Sequence, residues 1–358
     1  MQRIIIVLFA LALLLAGAAC GDSDGGSRSN GNISDAATTP GAEAVTLRLG
    51  YFPNVTHAPA IVGIRRGTFE EALGANGSLE TTPFNAGPSA IEALFAGEID
   101  ATFIGPNPAI NGFVQSNGEA LRIVAGSTSG GALFIVRPDA GIETPADLSG
   151  KKIASPQLGN TQDVALRAYL LDNGLAAQEN GGDVQVIPTA NPDILTLFQN
   201  GDIDGAWVPE PWATRLVQEA GGEVFLDERD LWPNGDFVTV HLIVSTDFLE
   251  EHPDVVENLV RAQVETVRWV NENAEEAKTL VNEGIEEATQ AALSRAVIDA
   301  SWENLRFTFD PIASSLRESA AAAFELDFLD EAPGLTSIYV LEPLNRVLQE
   351  FGLAAVSE

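Results

Sequence analysis

The chain has 358 residues, with 51 Asp and Glu against 19 Lys and Arg and a formal net charge of −32. That balance excludes a nucleic-acid binder, which needs a basic face, and leaves the ligand open. The single cysteine, Cys20, excludes a disulfide framework, so packing alone must supply stability.

In chain order, Arg3 precedes an apolar run from Ile4 to Leu15, followed by the small-residue exit Ala16-Gly17-Ala18-Ala19-Cys20. This is the pattern of a secretory signal peptide. The run is too short for an ordinary spanning helix of roughly 20 residues. The placement of Cys20 resembles the lipobox of bacterial lipoproteins, although Gly17 stands where leucine is preferred. The resemblance implies a lipidated Cys20 on the outer face of the cytoplasmic membrane. Gly21 to about Ala42 is polar and rich in Gly, Ser and Asp, which reads as a flexible tether. Folded structure is expected from Val45.

From Val45 the pattern alternates between strand and helix. Val45–Phe52 is strand-like, with Leu47, Leu49 and Tyr51 alternating against Thr46, Arg48 and Gly50. Ala58–Arg66 reads as helix, Leu79–Phe84 as strand, and Ser89–Ala96 as a helix stopped by Gly97. Strand Ile99–Ile104, helix Pro108–Gln115 and strand Leu121–Ala125 follow. Gly126-Ser127-Thr128-Ser129-Gly130-Gly131 reads as a Ser/Gly loop. Ala132–Val136 is apolar, and the pattern then restarts: strand Lys152–Ser155, helix Gln162–Leu171, strand Val184–Ile187, helix Asp193–Gln199, strand Ile203–Val208. Phe237–Ser245 is a long apolar strand, and the chain is mostly helical beyond Asp247. Such alternation implies a parallel sheet covered on both faces.

An internal echo sharpens this. Pro88–Pro106 aligns without a gap on Pro192–Glu210, matching Pro88 to Pro192, Gly97 to Gly201 and Ile99-Asp100 to Ile203-Asp204. Each copy reads as proline-opened helix, glycine stop and short strand. Two α/β lobes, and a cleft between them, are the expectation.

Ligands of open α/β sheets sit beyond the carboxyl ends of the strands. Four strand ends carry helix-start residues: Asn54-Val55-Thr56-His57, Gly105-Pro106-Asn107-Pro108, Gly159-Asn160-Thr161-Gln162 and Pro209-Glu210-Pro211-Trp212. Free N–H groups and the helix dipole suit such ends to anions. Asn, Thr and Pro at helix starts usually bind nothing, so the weight lies in four of them standing in register. Tyr51, Trp207 and Trp212 could wall an organic tail, although Trp207 ends a strand and reads equally as core. His57 and His241 read as hydrogen-bonded structural residues, and Glu210 as a cross-cleft partner or an acceptor for a ligand amine. No P-loop, no Gly-x-Ser-x-Gly elbow and no metal-ligand histidine spacing occurs.

Three segments together resemble the solute-binding proteins that serve ABC importers of nitrate, sulfonates and taurine. They are Gly50–Ala60, Leu94–Asp100 with Gly105-Pro106, and Gly201–Trp212. The resemblance implies a type 2 periplasmic-binding-protein fold: two Rossmann-like α/β lobes on a two-stranded hinge, closing on a solute without catalysis or cofactor. It implies a permease and an ATPase as partners. It divides the chain into a signal peptide (1–20), a linker (21–44), lobe 1 (45–136 and 240–358) and lobe 2 (137–239). Asn54, His57, Gly105, Pro106, Ser127, Thr128, Asn160, Thr161, Gln162, Trp207, Glu210 and His241 are the ligand-site candidates. Pro209–Trp212 leans toward nitrate-type members, and Gly50–Pro59 with Gly159–Thr161 toward sulfonate-type ones. A thiamine or riboflavin precursor is the alternative ligand. An enzyme of the thiamine-pyrimidine synthase type, which resembles the same fold, would need a cysteine-rich motif that this chain lacks.

Overall fold

The structure is a computed structural model, and it describes residues 44–358. The signal peptide, Cys20 and the tether lie outside the described residues.

The chain opens with β1 (Val45–Tyr51), a short 3-10 turn (Val55–His57), α1 (Ala58–Arg65) and α2 (Thr68–Ala72). It continues through β2 (Gly77–Pro83), α3 (Gly87–Phe95), β3 (Ala101–Ile104), α4 (Pro106–Gln115) and β4 (Leu121–Gly130). The second half starts with β5 (Ala132–Val136) and β6 (Lys152–Pro156). Then come α5 (Thr161–Asp172), β7 (Gln185–Thr189), α6 (Asn191–Asn200), β8 (Gly205–Pro209), α7 (Trp212–Ala220) and β9 (Glu223–Asp227). The chain returns through β10 (Val238–Ser245) to α8 (Thr246–Glu251), α9 (Pro253–Glu272), α10 (Ala274–Thr289) and α11 (Arg295–Glu303). It ends with β11 (Leu305–Phe307), α12 (Ala313–Glu325) and α13 (Glu342–Glu350).

Two sheets result, ordered β11-β4-β10-β3-β1-β2 and β7-β6-β8-β5-β9. Each contains a parallel trio, β2-β1-β3 in the first and β7-β6-β8 in the second. Beside each trio runs one antiparallel strand, β10 or β5. Those two strands are the ones that have just crossed from the other half of the chain. The sheets are therefore mixed, where alternation alone implied parallel ones. A crossing strand enters from the opposite end of the cleft and so must run against its neighbours.

Two expectations are corrected here. The implied division puts Ala132–Val136 in the first lobe, whereas it pairs with β8 and β9 in the second sheet. The first crossing therefore falls at Gly130-Gly131, where both residues are left-handed (φ +78° and +74°). A Cβ on Gly131 would sit 2.1 Å from Leu305 Cδ2, and one on Gly130 2.7 Å from the Asn304 carbonyl oxygen. Only glycine turns the chain in that space. Second, Gly126–Gly130 is not a loop but the buried end of β4. It pairs with β10 and β11, and tertiary pairing overrides the weak strand preference of Gly and Ser.

Alternation distributes the core. In β5, Leu133 and Ile135 join the cluster under α6 and α7, while Phe134 and Val136 join the one under α5. All five β5 residues are buried, as expected for a strand covered on both faces. In the first half, α9 supplies Val256, Leu259 and Val260 to the main core, and α1 and α10 share a satellite around Ile61, Val62 and Val281.

Candidate ligand-binding site

A cavity of about 30 Å³ lies between the two halves, against the ends of the parallel strands. Its wall is made largely of helix starts. The turn before α1 contributes Thr56 and His57, and the approaches to α3 and α4 contribute Asn85, Ala86 and Gly105. Across the gap, α5 contributes Asn160, Thr161 and Gln162, and α6 contributes Asn191. None of these five helices has a side-chain hydrogen bond at its N-cap. Proline in the first turn removes a donor from α1, α3, α4 and α6, but α5 carries none, and of its first three N–H groups only that of Asp163 is held, by the Asn160 carbonyl at 3.0 Å. The start of α5 is thus the strongest donor cluster at the cavity.

The polar side chains there are deeply buried and partly unspent. Thr161 is 6% exposed and its Oγ1 has no partner among the described residues. The Asn191 side-chain oxygen is buried without a partner as well; a flip of that amide would present its two N–H donors instead. Buried polar atoms without partners cost free energy, which a ligand repays. His57 Nδ1 faces the Phe52 N–H at 3.4 Å, which leaves the proton on Nε2. Burial holds this imidazole down at about 3, so it is a neutral donor. No Lys or Arg lines the cavity among the described residues.

The halves are latched beside the cavity. The Trp212 indole N–H donates to Asn54 Oδ1 at 2.9 Å. The Gly105 backbone abuts Thr161: a Cβ there would lie 2.4 Å from Thr161 Oγ1.

Of the twelve candidate residues, Asn54, His57, Gly105, Asn160, Thr161 and Gln162 line the cavity. Six do not. Pro106 is the buried first residue of α4. Thr128 donates to the Thr56 carbonyl at 2.7 Å and so braces the wall from behind. Ser127 is buried in β4 with its hydroxyl unpartnered. His241 sits in β10 with Nε2 2.9 Å from the Pro311 carbonyl oxygen, and burial lowers it to about 4. Trp207 is wholly buried, stacked on Phe134, and donates to Glu228 at 2.8 Å. Glu210 is fully occupied: it accepts from the Thr214 N–H and hydroxyl, from Ser301 and from Asn304. It joins α7 to α11 and has little left to offer a ligand.

Sequence reasoning missed Asn85, Ala86 and Asn191 as cavity residues, and with them Thr239 and Val240 of β10. A signal existed for the first three. Pro88 and Pro192 open the echoed segments; Asn191 stands directly before Pro192, and Asn85 and Ala86 stand within three residues of Pro88.

The NMT1-like family model matches residues 40–282. The taurine-binding periplasmic protein of Escherichia coli K12 is 28% identical over 224 residues, spanning 63% of this chain and 66% of that protein. The putative aliphatic sulfonates-binding protein of Bacillus subtilis 168 is 25% identical over 355 residues, 98% of each chain. Among solved structures, the periplasmic nitrate-binding protein NrtA of Synechocystis PCC 6803 superposes with a TM-score of 0.69 at 17% identity. That match covers 86% of this chain and 89% of the other. It shows the same two-lobed fold.

Proposed function

The chain belongs to the NMT1-like family, and from that premise we propose that it is an extracytoplasmic receptor for a small oxyanion. Sulfonates, taurine and nitrate are the candidate solutes, and the receptor hands its load to the permease and ATPase of an ABC importer. The observation that carries this reading is the convergence of five uncapped helix starts on one cavity with unspent polar atoms. Each helix dipole favours an anion by roughly 0.3–1 kcal/mol, and buried N–H donors add charge-assisted hydrogen bonds. The reading is capture without chemistry, in keeping with the taurine-binding and sulfonates-binding relatives. A volume of about 30 Å³ suits an anionic head group of a few atoms, since a single water needs about 10–15 Å³ by the same measure. A stacked aromatic precursor has less support, because Trp207 is in the core and Trp212 is engaged by Asn54.

Release outside the cytoplasm and anchoring through a lipid on Cys20 complete the proposal. Among the described residues no helix is long and apolar enough to cross a membrane. The test is thermal denaturation with nitrate, bicarbonate, taurine, alkanesulfonates and pyrimidine precursors, each well above its dissociation constant. A specific oxyanion should stabilise the fold by about 2.7 kcal/mol at 100-fold excess over Kd. A panel in which only a pyrimidine precursor stabilises, or in which nothing does, overturns the reading.

A further inference from the structure

Beside the anion cavity lies a larger one of about 250 Å³, between the starts of α6 and α7 and the end of α10. Asn54, Asn85 and Asn191 line both, so the two meet at these three amides. Asn191 stands at that junction only 5% exposed, with its side-chain oxygen unpartnered. An anionic head group at the helix starts therefore has room beside it for a substituent. Nitrate has none to place there and would fill only the smaller space, of about 30 Å³.

The larger cavity is walled for hydrocarbon, and its polar groups are spent. Phe84, Pro192, Pro211, Trp212, Ile285 and Leu293 supply apolar surface. Trp212 is fixed as a wall: its N–H donates to Asn54, and the Arg215 guanidinium lies 4.7 Å from its ring centre. Among the described residues Arg215 and Glu219 are the only charged side chains lining the space, and they bind each other. Arg215 Nε donates to both Glu219 carboxylate oxygens at 3.1 Å, and a terminal nitrogen reaches one of them at 3.0 Å. The Thr289 hydroxyl donates to the Ile285 carbonyl at 2.7 Å. No carboxylate lines the smaller cavity either. An ammonium entering beside the head group thus finds no free counter-ion, and burying it unpaired costs far more than burying a methyl in its place. Carbon atoms gain from the same walls by leaving water.

Taking the oxyanion reading of the smaller cavity as premise, we propose that the solute is a sulfonate with a bulky uncharged tail, branched or cyclic, seated in the larger cavity. Phe84, Trp212, Ile285 and Leu293 are then the residues that set specificity. They select against nitrate, which has no tail, and against taurine, whose tail ends in an ammonium.

The test is calorimetric titration of cyclohexanesulfonate, methanesulfonate, propane-1-sulfonate, taurine and nitrate into the full chain. Cyclohexanesulfonate should bind at least tenfold tighter than methanesulfonate. Propane-1-sulfonate should bind at least tenfold tighter than taurine, which differs from it only in carrying an ammonium for a methyl group. Ala292 is an exposed residue on the wall of the larger cavity, so Ala292→Phe puts a ring into that space without disturbing the core. It should weaken cyclohexanesulfonate at least tenfold and leave methanesulfonate within twofold. Methanesulfonate as tight as cyclohexanesulfonate, taurine as tight as propane-1-sulfonate, or a variant that weakens both sulfonates equally or neither overturns the tail cavity and leaves the oxyanion reading standing. Binding by none of the five anions overturns that reading, and the tail cavity with it.

Discussion

Thr161 is the residue on which the site turns. It starts α5, faces Gly105 across the gap and keeps its hydroxyl free. Gly105 has an ordinary extended backbone (φ −71°, ψ 160°), so alanine there strains nothing locally. Its methyl would nonetheless collide with Thr161 Oγ1. Gly105→Ala should therefore hold the halves apart, leaving the melting temperature of the ligand-free protein within a few degrees and weakening oxyanion affinity at least tenfold. Equal affinity in a titration would show that closure at this contact is not needed. The buried histidines and Glu228 give a pH test. The folded His57 and His241 sit at about 3 and 4, below the ordinary 6.5. Their contribution is therefore present above pH 6.5 and lost as pH falls. Glu228 sits at about 7 against an ordinary 4.5, so its contribution is present below 4.5 and lost as pH rises. The two effects oppose each other between pH 4.5 and 6.5, each at up to about 1.4 kcal/mol per pH unit. Glu228→Gln removes only the second. Denaturant titrations of variant and parent should then diverge in the variant's favour as pH climbs from 4.5 to 7; parallel stability curves would contradict the assignment.

Among elements, the echo noted in the sequence turns out to be scaffolding as much as site. Asp100 and Asp204 occupy the same place in the two sheets. Asp100 accepts the Arg48 backbone N–H at 2.8 Å, and Asp204 accepts that of Lys152 at 2.8 Å. Their own N–H groups reach the Arg48 and Lys152 carbonyls at 2.8 Å. Gly97 and Gly201 are both left-handed at the end of the preceding helix. So the identical Gly and Ile-Asp positions fix the strands, while the proline-opened starts of α3 and α6 reach the cavity. The strands β1, β3, β6 and β8 were legible because their alternation or apolar runs end at glycine or proline. The end of β4 was not, because Gly126 and Ser127 acquire strand geometry only from β10 and β11, which are remote in sequence. The side of the cleft to which β5 belongs was hidden for the same reason: a uniformly apolar strand carries no mark of its sheet. Trp207 and Glu210 looked like ligand residues because both end a strand next to the cleft. Their side chains turn instead to Glu228 and to the α7–α11 junction, which strand position alone does not determine.

For the whole molecule, the order of sheets and crossings puts neutral donors from both halves around one small cavity, in a chain whose formal net charge is −32. Anion capture by such a protein depends on local N–H groups rather than on overall charge. The start of α5, the one helix there without a first-turn proline, should then supply most of the binding. The measurement that tests this most directly is calorimetric titration of the best oxyanion from the panel into the double variant Asn160→Ala, Thr161→Ala. At least a tenfold loss of affinity, about 1.4 kcal/mol, is the expected result with the fold intact. Affinity equal to that of the parent would contradict the account, because the anion would then be held somewhere other than the helix starts between the two sheets.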